Sequence, residues 1–179
     1  MGWICVRATP SKQRLEAAMT GVLAIGAVRA MASQEPHPGL LLMRLNREIS
    51  ASQTGGFITC ICARVGREGA IAFANAGHPP PYHNGEEVQL LSNLPLGITR
   101  GVEYAETIVQ IDPRDKVTFL SDGVVEARSE AGGIFGFDRT REISRQSAQE
   151  ITKAAQQFGQ EDDLTVLTLS FSERYLVIA

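Results

Sequence analysis

The sequence predicts an α+β fold whose antiparallel sheets are built from hairpins. Three observations carry this expectation. Apolar residues recur at helical spacing over residues 14–50 and switch to a period of two after residue 57. The strands that follow come in a run, joined by short turns and not by crossover helices. One or two further helical segments and a last alternating strand complete the order.

Each element has its own signal. Leu15, Ala18, Met19, Val22, Leu23, Gly26 and Ala30 mark a helix over 14–33. A second helix runs over 38–50, with Pro38 suited to the first turn and Leu41, Leu45 and Ile49 on one stripe. Residues 57–65 are apolar on both faces, as a covered strand is, and 70–76 pairs back across a Gly-Arg-Glu-Gly turn. The segment Gly77-His78-Pro79-Pro80-Pro81 is a stiff loop, because proline cannot donate to a ladder. Asn84-Gly85 signals a tight hairpin between 81–83 and 86–91. Two more strands, 102–111 and 116–120, are joined by Asp112-Pro113-Arg114-Asp115, read as a type I turn. A helix is expected over 138–145. A better one lies over 147–158, with Ser147 and Glu150 as a capping box and Gly159 at its close. Residues 164–171 alternate as a final strand, and 172–179 carry no pattern.

The bulk numbers exclude several classes. A chain of 179 residues fits one domain, and 44% apolar residues can fill a core. The net charge of -3, with no Lys/Arg cluster, argues against a nucleic-acid or anionic-membrane surface. No apolar run is long enough to span a bilayer, and no signal peptide is expected. Cys5, Cys60 and Cys62 are odd in number, and the last two are too close for a disulfide framework. They read as reduced thiols of a cytoplasmic protein, with Cys60 and Cys62 as small buried residues on one strand face.

Candidate chemistry sits at two strand ends. Asp122 directly follows the apolar strand 116–120, with Gly123 behind it. Asp162 and Asp163 directly precede the strand 164–171, with Glu161 beside them. If these strands are neighbours, the carboxylates converge. Clustered carboxylates repel unless a cation or protons sit among them, and all-oxygen sets suit hard ions such as Mg²⁺ or Mn²⁺. Gly123 would let backbone or ligand come close. On pattern alone, Ser121-Asp122-Gly123 reads first as a turn and the Asp162-Asp163 stretch as a solvated loop; their joint placement at strand ends is what raises the metal reading.

Several segments together resemble the stage II sporulation protein E subgroup of PPM-type metal-dependent protein phosphatases. They are Glu16-Ala17-Ala18-Met19, Leu45-Asn46, Ala74-Asn75-Ala76-Gly77-His78-Pro79-Pro80 and Leu94-Pro95-Leu96-Gly97. Further on come Leu120-Ser121-Asp122-Gly123-Val124-Val125-Glu126-Ala127, Ile134-Phe135-Gly136 and Asp162-Asp163-Leu164-Thr165. The resemblance implies a sandwich of two antiparallel sheets flanked by helices. It implies hydrolysis of phosphoserine or phosphothreonine in a protein by water activated between two Mn²⁺ or Mg²⁺ ions. Asp122 and Asp162 would be metal ligands, with Asp163 a ligand or its neighbour. The implied partners are a phosphorylated anti-anti-sigma-type protein in a bacterial partner-switching circuit and an upstream sensor domain.

The chain departs from the family at its start. Where members carry Gly-Asp-Val-x-Gly-x-Gly, this chain has Ala8-Thr9-Pro10-Ser11-Lys12-Gln13-Arg14. Thr9 stands in place of the metal-bridging Asp. A neutral hydroxyl cannot replace a bridging carboxylate, and Lys12 and Arg14 add like-charge repulsion toward cations. The expected organisation is therefore an atypical segment 1–14, a partial phosphatase domain 15–171 that lacks its first strands, and a tail 172–179. Low or absent activity is expected. A non-catalytic phosphoprotein-binding module, a gene fragment and a misread start are the alternatives. A receiver-type domain would need a parallel, alternating fold. His78 is expected to hold a turn, and His37 and His83 are assigned nothing.

Overall fold

A computed structural model describes residues 2–8, 14–51, 57–66, 68–159, 164–171 and 176–178. The chain forms two compact units, one of residues 1–78 and 90–110, the other of 79–89 and 111–179. The units interleave along the chain, which is why no linker composition marks a boundary.

The first unit is built on a five-stranded sheet. Its strands are β1 (Gly2–Ala8), β2 (Thr59–Val65), β3 (Ala70–Ala76), β6 (Ser92–Asn93) and β7 (Glu106–Gln110). β2 and β3 form the expected hairpin, with Cys60 opposite Ala76 and Val65 opposite Ile71. The far edge of β3 is shared, since β7 pairs antiparallel with Ala70 to Ala74 and β6 pairs parallel with Asn75 and Ala76. The sheet is therefore antiparallel except at this two-residue step.

β1 gives the atypical segment 1–14 a strand that the sequence reading did not assign. Gly2–Ala8 pairs with β2 along its whole length, from Gly2 opposite Val65 to Ala8 opposite Thr59. Ile4 and Val6 are buried, alternating with half-buried Trp3 and Cys5, as a strand requires.

Two helices cover one face of this sheet. α1 (Arg14–Met31) precedes α2 (Pro38–Ala51), and both match the predicted helices closely. Leu41, Leu42, Leu45 and Ile49 of α2 are buried in one cluster with Cys60 and Cys62 of β2 and Ala74 and Ala76 of β3. The small strand residues let the leucines approach, and each fully buried leucine contributes about 2 kcal/mol. The start of α2 is held by Glu106, whose Oε1 accepts the Gly39 N–H at 3.0 Å.

The second unit is built on the sheet order β10-β9-β8-β4-β5. Its strands are β4 (Tyr82–His83), β5 (Glu86–Glu87), β8 (Lys116–Leu120), β9 (Val166–Phe171) and β10 (Leu176–Ile178), all antiparallel. β10 corrects the patternless tail: Leu176 lies opposite Phe171 and Ile178 opposite Leu169. The helices are α3 (Asp122–Val125), α4 (Gly136–Ile143) and α5 (Ala148–Phe158). α5 carries the predicted capping box between Ser147 and Glu150 and ends at Gly159, whose φ is 122°. Ile151 and Ala155 of α5 are buried with Leu120, Val124, Ala127 and Phe135.

Asn84 and Gly85 both have positive φ, 50° and 86°, as a type I′ hairpin needs. The strands on either side are only two residues long: one further rung forms, Val88 N donating to the Pro81 carbonyl at 2.8 Å, and the ladder stops there because Pro81 has no N–H to return. The turn at 112–115 is not type I. Asp115 N does donate to the Asp112 carbonyl at 3.0 Å, but Arg114 has φ 83°, the left-handed value of a type II turn. Neighbouring bonds impose this. Arg114 N reaches the Phe171 carbonyl at 2.8 Å, and Asp115 Oδ2 accepts the Asp112 N–H at 2.9 Å.

Candidate functional site

The decisive geometric question is whether the strand before Asp122 and the strand after Asp163 are neighbours. They are. β8 and β9 pair from Lys116 opposite Ser170 to Leu120 opposite Val166. The ladder then continues one step beyond both strands. Ser121 N donates to the Thr165 carbonyl at 2.9 Å, and Thr165 N donates to Ser121 Oγ at 2.8 Å. Antiparallel pairing puts the C-terminal end of one strand beside the N-terminal start of the other. Asp122 and Leu164 therefore flank the same rim of the second sheet.

Asp122 is half-buried and opens α3, with Ser121 as N-cap in extended backbone. The Ser121 hydroxyl does not cap the helix, being committed to Thr165. α3 is fixed from beneath by Val124, which is fully buried beside Leu120 and Ile151. Its carbonyl ladder begins with Glu126 N to Asp122 O at 2.8 Å. Asp122 is thus set on a rigid strand end and a pinned helical turn. Gly123 lies within α3, half-buried. Asp162, Asp163 and Glu161 lie outside the described residues, as do Thr9 and Lys12.

An oxygen ligand on a strand end suits a hard divalent ion. Among the described residues, no group of three or more His, Cys, Asp or Glu stands close enough to hold a metal. The described donors fit such an ion in kind but not in number. A concave surface of about 320 Å³ in the second unit, lined by Tyr82, Glu86, Phe137, Asp138 and Arg141 among others, does not include Asp122.

The other motif residues turn out to be joints. Asn46 is 1% exposed on α2, donates from Nδ2 to the Thr99 carbonyl at 2.8 Å, and accepts the Gly97 N–H at 2.8 Å. It binds the helix to the Leu-Pro-Leu-Gly loop, whose Leu96 exchanges two backbone bonds with Ile58. Asn75, equally buried, accepts the His78 N–H and donates to the His78 carbonyl, both at 2.8 Å. The His78 ring is buried, with Nδ1 3.1 Å from Thr59 Oγ1. Gly77 has φ 69°, and a Cβ there would meet the Pro95 ring at 2.8 Å. His78 therefore sits in a clamped turn, as expected. Phe135 packs edge-on against Phe158 at 5.3 Å, and Arg139 lies 4.7 Å over the Phe158 ring.

His83, unassigned from sequence, also holds structure. His83 Nε2 contacts Asp115 Oδ2 at 2.8 Å, and Asn84 Nδ2 donates to Asp115 Oδ1 at 2.7 Å. The Asp112 N–H, the Asn84 amide and the His83 ring together lower the Asp115 pKa to about 2. Sequence reading missed Ser121 and Thr165 as the residues that close the rim. Their mirrored positions, one before Asp122 and one after Leu164, were the available signal.

The fold is shared with solved PP2C phosphatase domains. The family profile described as stage II sporulation protein E matches residues 14–172, and the chain belongs to that family. The phosphoserine phosphatase RsbU of Bacillus subtilis (strain 168) is 28% identical over 150 residues, covering 74% of this chain and 45% of RsbU. The chain thus spans less than half the length of that curated relative. The structure of the RsbU and RsbW domains of Rv1364c from Mycobacterium tuberculosis superposes with a TM-score of 0.80 at 18% identity, covering 97% of this chain and 52% of that one. The catalytic domain of the serine threonine protein phosphatase PstP, in complex with two manganese ions, superposes at 0.65 with 15% identity, covering 99% and 86%. Among the described residues no helix is long and apolar enough to cross a membrane.

Proposed function

We propose that this chain is a metal-dependent phosphoprotein phosphatase domain acting on phosphoserine or phosphothreonine, with weak or no turnover as it stands. The observation that supports it is the β8–β9 register, closed by Ser121 and Thr165, which brings Asp122 to the rim where β9 begins. In this reading Asp122, Asp162 and Asp163 supply carboxylate oxygens to Mn²⁺ or Mg²⁺, with Gly123 keeping the approach open. Such ions, when bound, lower the pKa of a coordinated water and neutralise phosphoryl oxygens. The protein's own part in this reading is to hold the carboxylates at fixed separation, and the strand end that carries Asp122 is suited to that.

Thr9 limits the activity, because it occupies the position matched to the family's bridging Asp and offers no charge. The proposed substrate is a phosphorylated anti-anti-sigma-type protein in a cytoplasmic, bacterial partner-switching circuit, with an upstream sensor domain as the input. The likeness to RsbU supports this. Thr9 also favours a second reading, a degenerate module that binds the phosphoprotein without turning it over.

Calorimetry with Mn²⁺ tests the site. The wild type should bind, and Asp122→Asn should abolish the heat; equal binding by both would remove Asp122 from the site. A phosphoserine-peptide assay then separates the readings. Slow, Asp122-dependent turnover supports the enzyme, binding without turnover supports the module, and fast turnover would overthrow the role given to Thr9.

A further inference from the structure

We propose that Cys5 and Cys62 form a redox-sensitive pair that closes into a covalent β1–β2 cross-link when the protein meets hydrogen peroxide. The backbone sets this up. Cys5 and Cys62 are direct partners in the antiparallel register, so their side chains leave the sheet on the same face. Directly opposed residues have Cα atoms about 4.5–5.5 Å apart, inside the range a disulfide spans. The two sulfurs lie 2.6 Å from each other.

Cys60 is the competing partner and the poorer one. Its sulfur is 4.0 Å from that of Cys62. Residues two apart on one strand have Cα atoms about 6.6 Å apart, near the upper limit for a disulfide.

Access is asymmetric. Cys5 is half-exposed, whereas Cys62 is fully buried in the cluster under α2. The neighbouring Cys5 and Cys60 thiols, then burial, hold the Cys62 pKa well above the ordinary thiol value, which keeps it protonated and unreactive toward solvent. Cys5 is therefore the point of entry. Its sulfur attacks peroxide, the O–O bond breaks, and a sulfenic acid and one water result. The Cys62 sulfur then attacks the Cys5 sulfur as its proton leaves with the hydroxyl, releasing a second water and forming the S–S bond. Two thiols are oxidised and one peroxide is reduced to two waters. The product fastens an edge strand, β1, to the sheet interior.

The test uses the whole chain, reduced and then exposed to peroxide. Titratable thiols should fall from three to one and return with dithiothreitol. Peptide mapping should join the tryptic peptide ending at Arg7 to the one ending at Arg64. Since the second peptide carries both Cys60 and Cys62, fragmentation must place the bond on Cys62. Cys5→Ser should keep both of its thiols, and Cys60→Ser should still lose two. Retention of all three thiols by the wild type, a Cys60–Cys62 bond, or links between separate chains would each overturn the proposal.

Discussion

The rim closure rests on one side chain whose removal has a calculable effect. Ser121→Ala deletes the oxygen that accepts the Thr165 N–H at 2.8 Å. Ser121 is 5% exposed, but Thr165 is exposed, so water can replace the lost acceptor. That makes the loss one ordinary neutral hydrogen bond, about 1 kcal/mol, rather than a stranded buried donor at about 1–3 kcal/mol. An N-cap serine would add about another 1 kcal/mol, but Ser121 makes no side-chain bond to α3, so nothing is added. The backbone bond from Ser121 N to Thr165 O survives the change. Urea unfolding should therefore show a lowered midpoint, an unchanged slope and a loss of about 1 kcal/mol. On the proposed metal role of Asp122, the same variant should also bind Mn²⁺ several-fold more weakly, because one of the two bonds that close the rim beside it is gone. A stability loss above about 2.5 kcal/mol would show that Ser121 has further bonding duties, and no loss at all would show that the rim is held by the backbone alone.

Other positions give further checks. Asn75→Ala removes both bonds that clamp the His78 peptide and leaves buried partners, so chemical denaturation should report a loss of about 2–4 kcal/mol. Arg114→Gly relieves a left-handed backbone at φ 83° and should raise the unfolding free energy by about 0.5–1 kcal/mol, net of the entropy glycine adds to the unfolded chain. Asp115 titrates near 2 when folded and near its ordinary 3.8 when unfolded, so its contribution is complete above pH 3.8 and fades as pH falls toward 2. With the side chain 21% exposed, solvent screening cuts that contribution to about 1 kcal/mol. Unfolding curves at pH 7 and pH 2 should show Asp115→Asn destabilised at the first and near wild type at the second.

How much of this was legible depends on element length. α2, β3, β8 and α5 were readable because each offers five or more residues of clean period, and α5 adds a capping box at Ser147. Asn84-Gly85 was readable because few residues tolerate two successive positive φ values. The short pieces were not. β6 is two residues whose pairing is set by Asn75 and Ala76, and α3 is four residues set by Val124 beneath it. β1 and β10 alternate weakly and declare themselves only when β2 and β9 stand beside them. The Arg114 conformation came from bonds to Phe171 and Asp112, which no local rule contains. At the site, Asp122 was visible as an acid at a strand end. The Cys5–Cys62 pairing was invisible, since it depends on a register between segments 57 residues apart.

One consequence of the two polar clusters at the ends of β8 concerns errors of assembly. Asp115 gathers His83, Asn84 and Asp112 just before Lys116, while Ser121 grips Thr165 just after Leu120. A one-residue slip of β8 would shift Asp122 by about 3.3 Å and turn the strand's inward side chains outward. Both grips would have to fail together for that to happen. The strand is anchored fore and aft, so this acid is guarded against being carried out of place by a shift in pairing.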